Sequence, residues 1–311
     1  MRITNNMMMN NYLSSLNSNL TRMTDYQEQV TTGKAINSLS DDPVGLISIM
    51  SCNVKLERNS QYQSVLDSAL TWLNQTDTSV YQMNQVIQSA YESTLQAAND
   101  ELTSEDKGAI AAYIGQLRDQ VLAIANGQAS DKYLFGGYNV DNAPFTVDAD
   151  GNILYNGLDL TDATNPALIA ASSQSITYEI GTGITLDISI TGTELMGTGE
   201  NNAYTVLDNL YKALSDNASA EELGQYITKL QDCQSHMMST DTKVGGMVNR
   251  LELLQDRYDQ EELNYKELKS NVEDVDIAEA YMNYSMAKTV YSSALQVSTQ
   301  IIQASILDYL K

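Results

Sequence analysis

Met9, Leu13, Leu16, Leu20 and Met23 recur at alternating steps of four and three, with Val30 one heptad further on, as an α-helix with one dry seam requires. The pattern stops at Thr31-Thr32-Gly33-Lys34-Ala35-Ile36-Asn37-Ser38-Leu39-Ser40-Asp41-Asp42-Pro43-Val44-Gly45. Gly33 offers a left-handed C-terminal stop. Ser40, Asp41 and Asp42 supply N-cap oxygens, and Pro43 falls where a missing N–H costs nothing, so a second helix is expected from there. Gly33, Asn37, Asp41, Asp42 and Pro43 therefore mark a sharp helix connector.

The first helix carries an unusual surface. The chain has a net charge of −23, yet from Met1 to Thr24 it holds no acidic residue and only Arg2 and Arg22 as charges. Asn, Ser and Thr replace the ions that a solvated face normally carries, which predicts burial against further helices on more than one side. Alone, such a helix is marginal, because most helical stability comes from packing. The acidic balance leaves no basic stripe to displace phosphate counterions, so nucleic acid is not an expected partner. No transmembrane helix is expected either: Thr289 to Leu307 is uncharged, but Ser292, Ser293, Gln296, Ser298, Thr299, Gln300 and Gln303 are too polar for hydrocarbon. Nor does the N-terminus read as a cleaved secretory signal. Cys52 and Cys233 belong to no metal or redox spacing and read as small apolar residues rather than a disulfide.

Asp42 to about Ala98 reads as a long helix with at most one break and a core stripe through Val54, Val65, Leu66, Leu70, Leu73, Val80, Met83, Val86, Ile87 and Ala90. Thr103 with Asp106 opens another in a capping-box arrangement, with Ile110, Tyr113, Ile114, Leu117, Val121 and Ile124 as its buried face and Asn126-Gly127 as its end. Tyr133-Leu134-Phe135 reads as a short strand before a Gly136-Gly137 break and a turn at Pro144. The period then changes. Phe145–Val147 and Ile153–Tyr155 flank a turn at 148–152, and the alternation from Ile176 to Ile190 across Gly181-Thr182-Gly183 predicts a second hairpin. The Asp-rich turn is no calcium loop, since Gly151 stands fourth where an EF-hand needs its glycine sixth. Helical periodicity returns near Asn201 and restarts after Ser219. It is expected to break at Gly245-Gly246, then continues through Leu251, Leu254, Tyr258, Leu263 and Leu268. After Glu273-Asp274-Val275-Asp276, a final stripe follows: Met282, Met286, Val290, Ala294, Val297, Ile301 and Ala304.

The fold expected is mainly α with a β insertion: a long helical-bundle or coiled-coil rod from both halves of the chain, and a small antiparallel β-domain between them. Residues 1–40 and 272–311 would form a terminal coiled-coil assembly domain, 41–140 and 200–271 a helical rod, and 141–199 the β-insertion. Neither end stripe can be covered by one partner helix, so identical neighbours must cover the rest. The expected assembly residues are Met9, Leu13, Leu16, Leu20, Met23, Val30, Met286, Val290, Ala294, Val297, Ile301 and Ala304.

The connector at 31–45 resembles the N-terminal signature of the flagellin superfamily. Its Pro43-Val44 is closer to the hook–filament junction members, the L-type hook-associated proteins, than to flagellins, which usually have Ala-Ala-Gly there. The segment Tyr133 to Phe145 is similar to the aromatic-Gly-Gly to Pro-Phe segment of the same members. The run Val272 to Asp276, the closing Ser305-Ile306-Leu307-Asp308-Tyr309-Leu310, and Gly245-Gly246 ahead of Asn249-Arg250-Leu251-Glu252 resemble the superfamily's C-terminal region.

The resemblance implies a structural part of the extracellular flagellum that assembles with itself in a ring. It implies another hook-associated protein on the hook side, flagellin on the filament side, an export chaperone on the C-terminal helix, and type III export without a cleaved signal peptide. No enzyme, cofactor or metal is expected: His236 is the sole histidine, and no Gly-x-Ser-x-Gly elbow or phosphate-cradling loop accompanies it. The competing readings are a flagellin filament subunit and, from another class, a soluble coiled-coil chaperone or scaffold.

Overall fold

The computed structural model describes residues 5–99, 103–149, 151–181 and 183–307, with side chains from Met7 to Val297 within those ranges. In chain order it forms α1 (Asn5–Thr32), α2 (Pro43–Ala97), α3 (Ser104–Ala125), β1 (Gln128–Ala129), β2 (Lys132–Tyr133), β3 (Phe145–Val147), β4 (Ile153–Tyr155), β5 (Leu158–Asp159), α4 (Pro166–Ser172), β6 (Thr177–Gly181), β7 (Ile184–Asp187), α5 (Gly192–Met196), α6 (Ala203–Ser215), α7 (Ala220–Glu273) and α8 (Ile277–Leu307). The helices α2 and α7, of 55 and 54 residues, run for about 80 Å each at the helical rise. The expected class, long helices from both halves around a small antiparallel insertion, is the one observed.

Helix ends follow their local chemistry. Thr103 accepts from the Asp106 N–H while Asp106 accepts from the Thr103 N–H, a reciprocal cap that holds the Asp106 carboxyl below its usual range. Ser219 and Glu222 repeat the device at the start of α7. Gly245-Gly246 does not interrupt α7, which passes through it unbroken. Two glycines weaken a helix by about 1 kcal/mol each, and the buried Met237, Val244 and Leu251 on either side hold the helix together against that cost.

Contacts divide the chain into two compact units, one running to Ser60 and resuming at Asp259, the other Gln61–Tyr258. The second contains almost all of the core. Leu66, Leu73, Val80, Met83 and Ile87 of α2, Ile114 and Val121 of α3, Leu207 and Leu210 of α6, and Leu223 and Leu230 of α7 are fully enclosed. Two expected core residues face outward instead: Val54, which lies in the first unit, and Tyr113. At Tyr113 the buried face of α3 is rotated onto Ala111, Ile114 and Leu117. Arg118 of α3 bonds Asp208 of α6 at 2.7 Å and lies over the rings of Tyr204 and Tyr211. Burial of Asp208 favours its neutral form, but hydrogen bonds from Lys212 and Arg118 outweigh this and lower its pKa.

The insertion is a three-stranded antiparallel sheet, β3-β4-β5, beside the two-stranded β1-β2 and β6-β7. The expected strand at 133–135 reduces to the end of β2, and Leu134 and Phe135 enter the core as coil. Asn126 clamps its entry, its amide donating to the Phe145 carbonyl at 2.9 Å and accepting from the Phe145 N–H at 3.0 Å. Gly192 lies against the buried Phe145 and Tyr155 rings, and the Tyr155 hydroxyl donates to the Phe135 carbonyl at 3.0 Å. Tyr258 of α7 donates to the Ile180 carbonyl at 2.6 Å, fastening the β6-β7 hairpin. The turn residues Asp150 and Thr182 lie outside the described residues.

Candidate assembly interface

Within the first unit α1 and α8 pair antiparallel, and their register is fixed at both ends. The Tyr12 hydroxyl donates to the Ala294 carbonyl. At the other end the two helix breaks meet: the Ala35 N–H donates to the Glu273 carbonyl at 2.7 Å and the Val275 N–H to the Gly33 carbonyl at 3.1 Å, an antiparallel bridge centred on Lys34 and Asp274. Lys34 pairs with the buried Glu273 carboxylate, and Lys269 approaches its other oxygen at 3.5 Å. The hydrogen bond to Glu273, then its charge, raise the Lys34 pKa.

The connector is built by its own sequence. Gly33 takes φ +73°, the left-handed stop. Asp42 caps α2, its Oδ1 accepting from the Val44 N–H at 3.0 Å, and Pro43 opens the helix. Asp41 does not cap the helix. Its Oδ2 accepts from the Ser38 and Asn37 N–H groups at 2.8 and 3.0 Å, which keeps its carboxyl below the usual range. Ser40 exchanges a hydrogen bond with Ser38 rather than capping α2, and the Asn37 amide donates to the Lys34 carbonyl at 3.2 Å. Replacing Glu273 with glutamine is expected to loosen this clasp: exchange of the Ala35 and Val275 amides should speed up while that of α6 amides stays constant, as read by hydrogen-exchange mass spectrometry.

Of the expected assembly residues, Met9, Leu13, Leu20, Met286, Val290 and Val297 are exposed, and Leu16, Met23, Val30 and Ala294 are half-buried. Ile301 and Ala304 lie outside the described side chains. A cavity of about 170 Å³ opens between the pair, lined by Asn19, Arg22, Tyr26, Asn283, Met286 and Val290. A second apolar row outside the expected set, Val44, Ile47, Met50 and Val54, lies on the first turns of α2, with Val44 75% and Ile47 67% exposed. Its spacing of three, three and four is legible in the sequence, but Val54 shares the periodicity of the α2 core stripe. Ile277 and Tyr281 at the start of α8, and Leu263 and Leu268 of α7, are bare as well. Among the described residues, the fully buried apolar side chains of this unit are Ile49 and Ala280.

Among the described residues no reactive constellation accompanies this surface. His236 is exposed on α7 and its Nε2–H donates to the Glu194 carbonyl at 2.8 Å. Cys233 lines a cavity of about 310 Å³ with Asp232 and His236, but burial pushes its thiol up to about 11, far from a nucleophile's range. Both cysteines are free thiols. Among the described residues no cluster of His, Cys, Asp and Glu could hold a metal ion, and no helix is long and apolar enough to cross a membrane.

Two family models match the chain: the bacterial flagellin N-terminal helical region over residues 3–140 and the bacterial flagellin C-terminal helical region over 227–310. The flagellar hook-associated protein 3 of Salmonella typhimurium is 23% identical over 97% of both chains. Among solved structures, one assigned as a flagellar hook-associated protein of Vibrio parahaemolyticus superposes with a TM-score of 0.66 at 21% identity, over 75% of this chain and 100% of that one. The flagellar junction protein of Legionella pneumophila gives 0.60 at 13%, over 74% and 100%. With its paired end helices and the chain on either side of the β-insertion matched to the two halves of one family, this chain belongs to the flagellins and their hook-associated relatives.

Proposed function

We propose that this chain is the hook–filament junction subunit of a bacterial flagellum, joining another hook-associated protein on the hook side to flagellin on the filament side. One observation carries the assembly part of the reading: among the described residues, a unit made from both chain ends buries almost no apolar side chain within one molecule and leaves long apolar rows bare. Exposed apolar patches of this extent are interaction surfaces, and with the acid-free run of α1 up to Thr24 they fit further copies of the same sparsely charged helices. The match to hook-associated protein 3 over 97% of both chains supports a junction subunit over a filament subunit.

In this reading residues 1–40 and 272–311 form the assembly domain around the axis, with Met9, Leu13, Leu16, Leu20, Met23, Val30, Met286, Val290, Ala294, Val297, Ile301 and Ala304 at its interfaces. Residues 41–140 and 200–271 form the rod, and 141–199 face outward. The chain leaves the cell through the flagellar export channel without a cleaved signal, its C-terminal helix held by an export chaperone beforehand. The role is structural, with no catalytic step.

Deleting the gene tests the function. Hooks without filaments and flagellin shed into the medium are expected; normal filaments would overturn the junction reading. Extended homopolymeric filaments grown from the purified chain would turn the assignment to a filament subunit. Intact chain outside export-deficient cells would remove the export route.

A further inference from the structure

One level of the α1–α8 pair is chemically unlike the rest of the chain. The cavity of about 170 Å³ lies between the two fastenings of the pair, Tyr12 to Ala294 at one end and the Lys34–Asp274 bridge at the other. Its walls come from Asn19, Arg22 and Tyr26 of α1 and from Asn283, Met286 and Val290 of α8. Four of these side chains can donate: the Arg22 guanidinium, the Asn19 and Asn283 amides and the Tyr26 hydroxyl. Asn19, Tyr26 and Asn283 are half-buried, and none of the four makes a side-chain hydrogen bond or ion pair with another described residue. Donors gathered in this way around one space call for an acceptor.

Charge says which acceptor. Met7 to Thr24 and Tyr281 to Val297 carry Arg22 and Lys288 and no acidic residue, although the chain has a net charge of −23. Neither cation has an ion-pair partner among the described residues, so this level is a positive band on an acidic molecule. A guanidinium flanked by amide and hydroxyl donors suits a carboxylate, and Met286 and Val290 can cover its apolar stem. The chain places its own carboxylates just beyond the band. Asp25 and Glu28 are exposed on α1, about 4.5 and 9 Å past Arg22 along the helix, and neither forms an ion pair within the chain among the described residues. A second copy laid alongside and displaced by one to two helical turns brings them level with the cavity, and the same contact then repeats from copy to copy.

We propose that this cavity is a socket for the Asp25 or Glu28 carboxylate of a second copy of the chain. The inference rests on the self-assembly in the proposed function and names the contact that sets the axial step between neighbours. Cells whose only copy carries Arg22→Glu are expected to bear filaments on at least ~10-fold fewer hooks than the parent, with the variant still exported into the medium. Arg22→Lys retains the charge and should keep filaments attached. Carbodiimide treatment of hook–filament particles from the Arg22→Lys cells is expected to condense the introduced amine with the neighbouring carboxylate, releasing water and leaving a covalent dimer of this chain on a denaturing gel. Mass spectrometry of the dimer should place the amide between position 22 and position 25 or 28. Filaments retained on Arg22→Glu cells where gene deletion removes them, or lost equally from Arg22→Lys cells, would overturn the socket and leave the junction reading standing. A covalent product with another protein, or none, would overturn the second copy as its occupant.

Discussion

Cells expressing the chain with Ile47→Asp and Met50→Asp are expected to carry hooks without attached filaments, although the purified variant keeps the thermal midpoint of the parent. Both side chains are exposed, at 67% and 60%, and lie on the outer row of α2, so the free molecule loses no core contact. Surface changes of this kind usually stay within about 0.5 kcal/mol. On the proposed assembly the same row is covered by another copy, and an unpaired carboxylate buried there would cost several kcal/mol, enough to weaken each subunit contact at least ~100-fold. Ile169→Asp, on the short helix α4 of the insertion and equally bare, supplies the control and should leave filaments attached. Electron microscopy of sheared cells, with differential scanning calorimetry of the two variants, checks both halves of the expectation. Filaments on the double variant would show that this row is not an interface.

Gly192→Ala is expected to destabilise the second unit by about 3 kcal/mol. A Cβ built there meets the Tyr155 ring at 2.4 Å and the Phe145 ring at 2.5 Å. Both rings are enclosed, and Tyr155 is further held by its bond to the Phe135 carbonyl, so neither can swing clear. The melting temperature should fall by roughly 6–12 °C for a unit of this size. Gly224→Ala is the matched control, because a Cβ on that helical glycine meets nothing within 4 Å, and it should stabilise by about 0.5–1 kcal/mol. Urea titrations of the two variants against the parent decide the point: equal midpoints would mean that the insertion repacks around the methyl group.

Much of this protein was legible from residue order because the code for helix ends is local. A left-handed glycine at Gly33, a carboxylate cap at Asp42, a proline at the first helical position and the reciprocal pair Thr103 with Asp106 each act over three or four residues, and each stands where the pattern placed it. The two hairpins were equally readable, since alternation of period two and turn glycines are local as well. The neutral flank of α1 pointed to burial against neighbours, and among the described residues the apolar rows of the end unit stand bare.

What the order of residues could not supply was anything that depends on a distant partner. Nothing near Lys34 says that its helix break will meet the break at Asp274, because an antiparallel backbone bridge needs only free N–H and C=O groups on both sides and carries no side-chain signature. Gly245-Gly246 reads as a break by propensity, and only the packing of Val244 and Leu251 keeps α7 whole through it. Val54 and Leu66 share one helix and one apolar periodicity, yet Leu66 is enclosed and Val54 bare. Periodicity says that a side chain seeks cover; whether cover comes from the same molecule or from a neighbour is settled by which helices lie beside it, and that is a property of the tertiary structure.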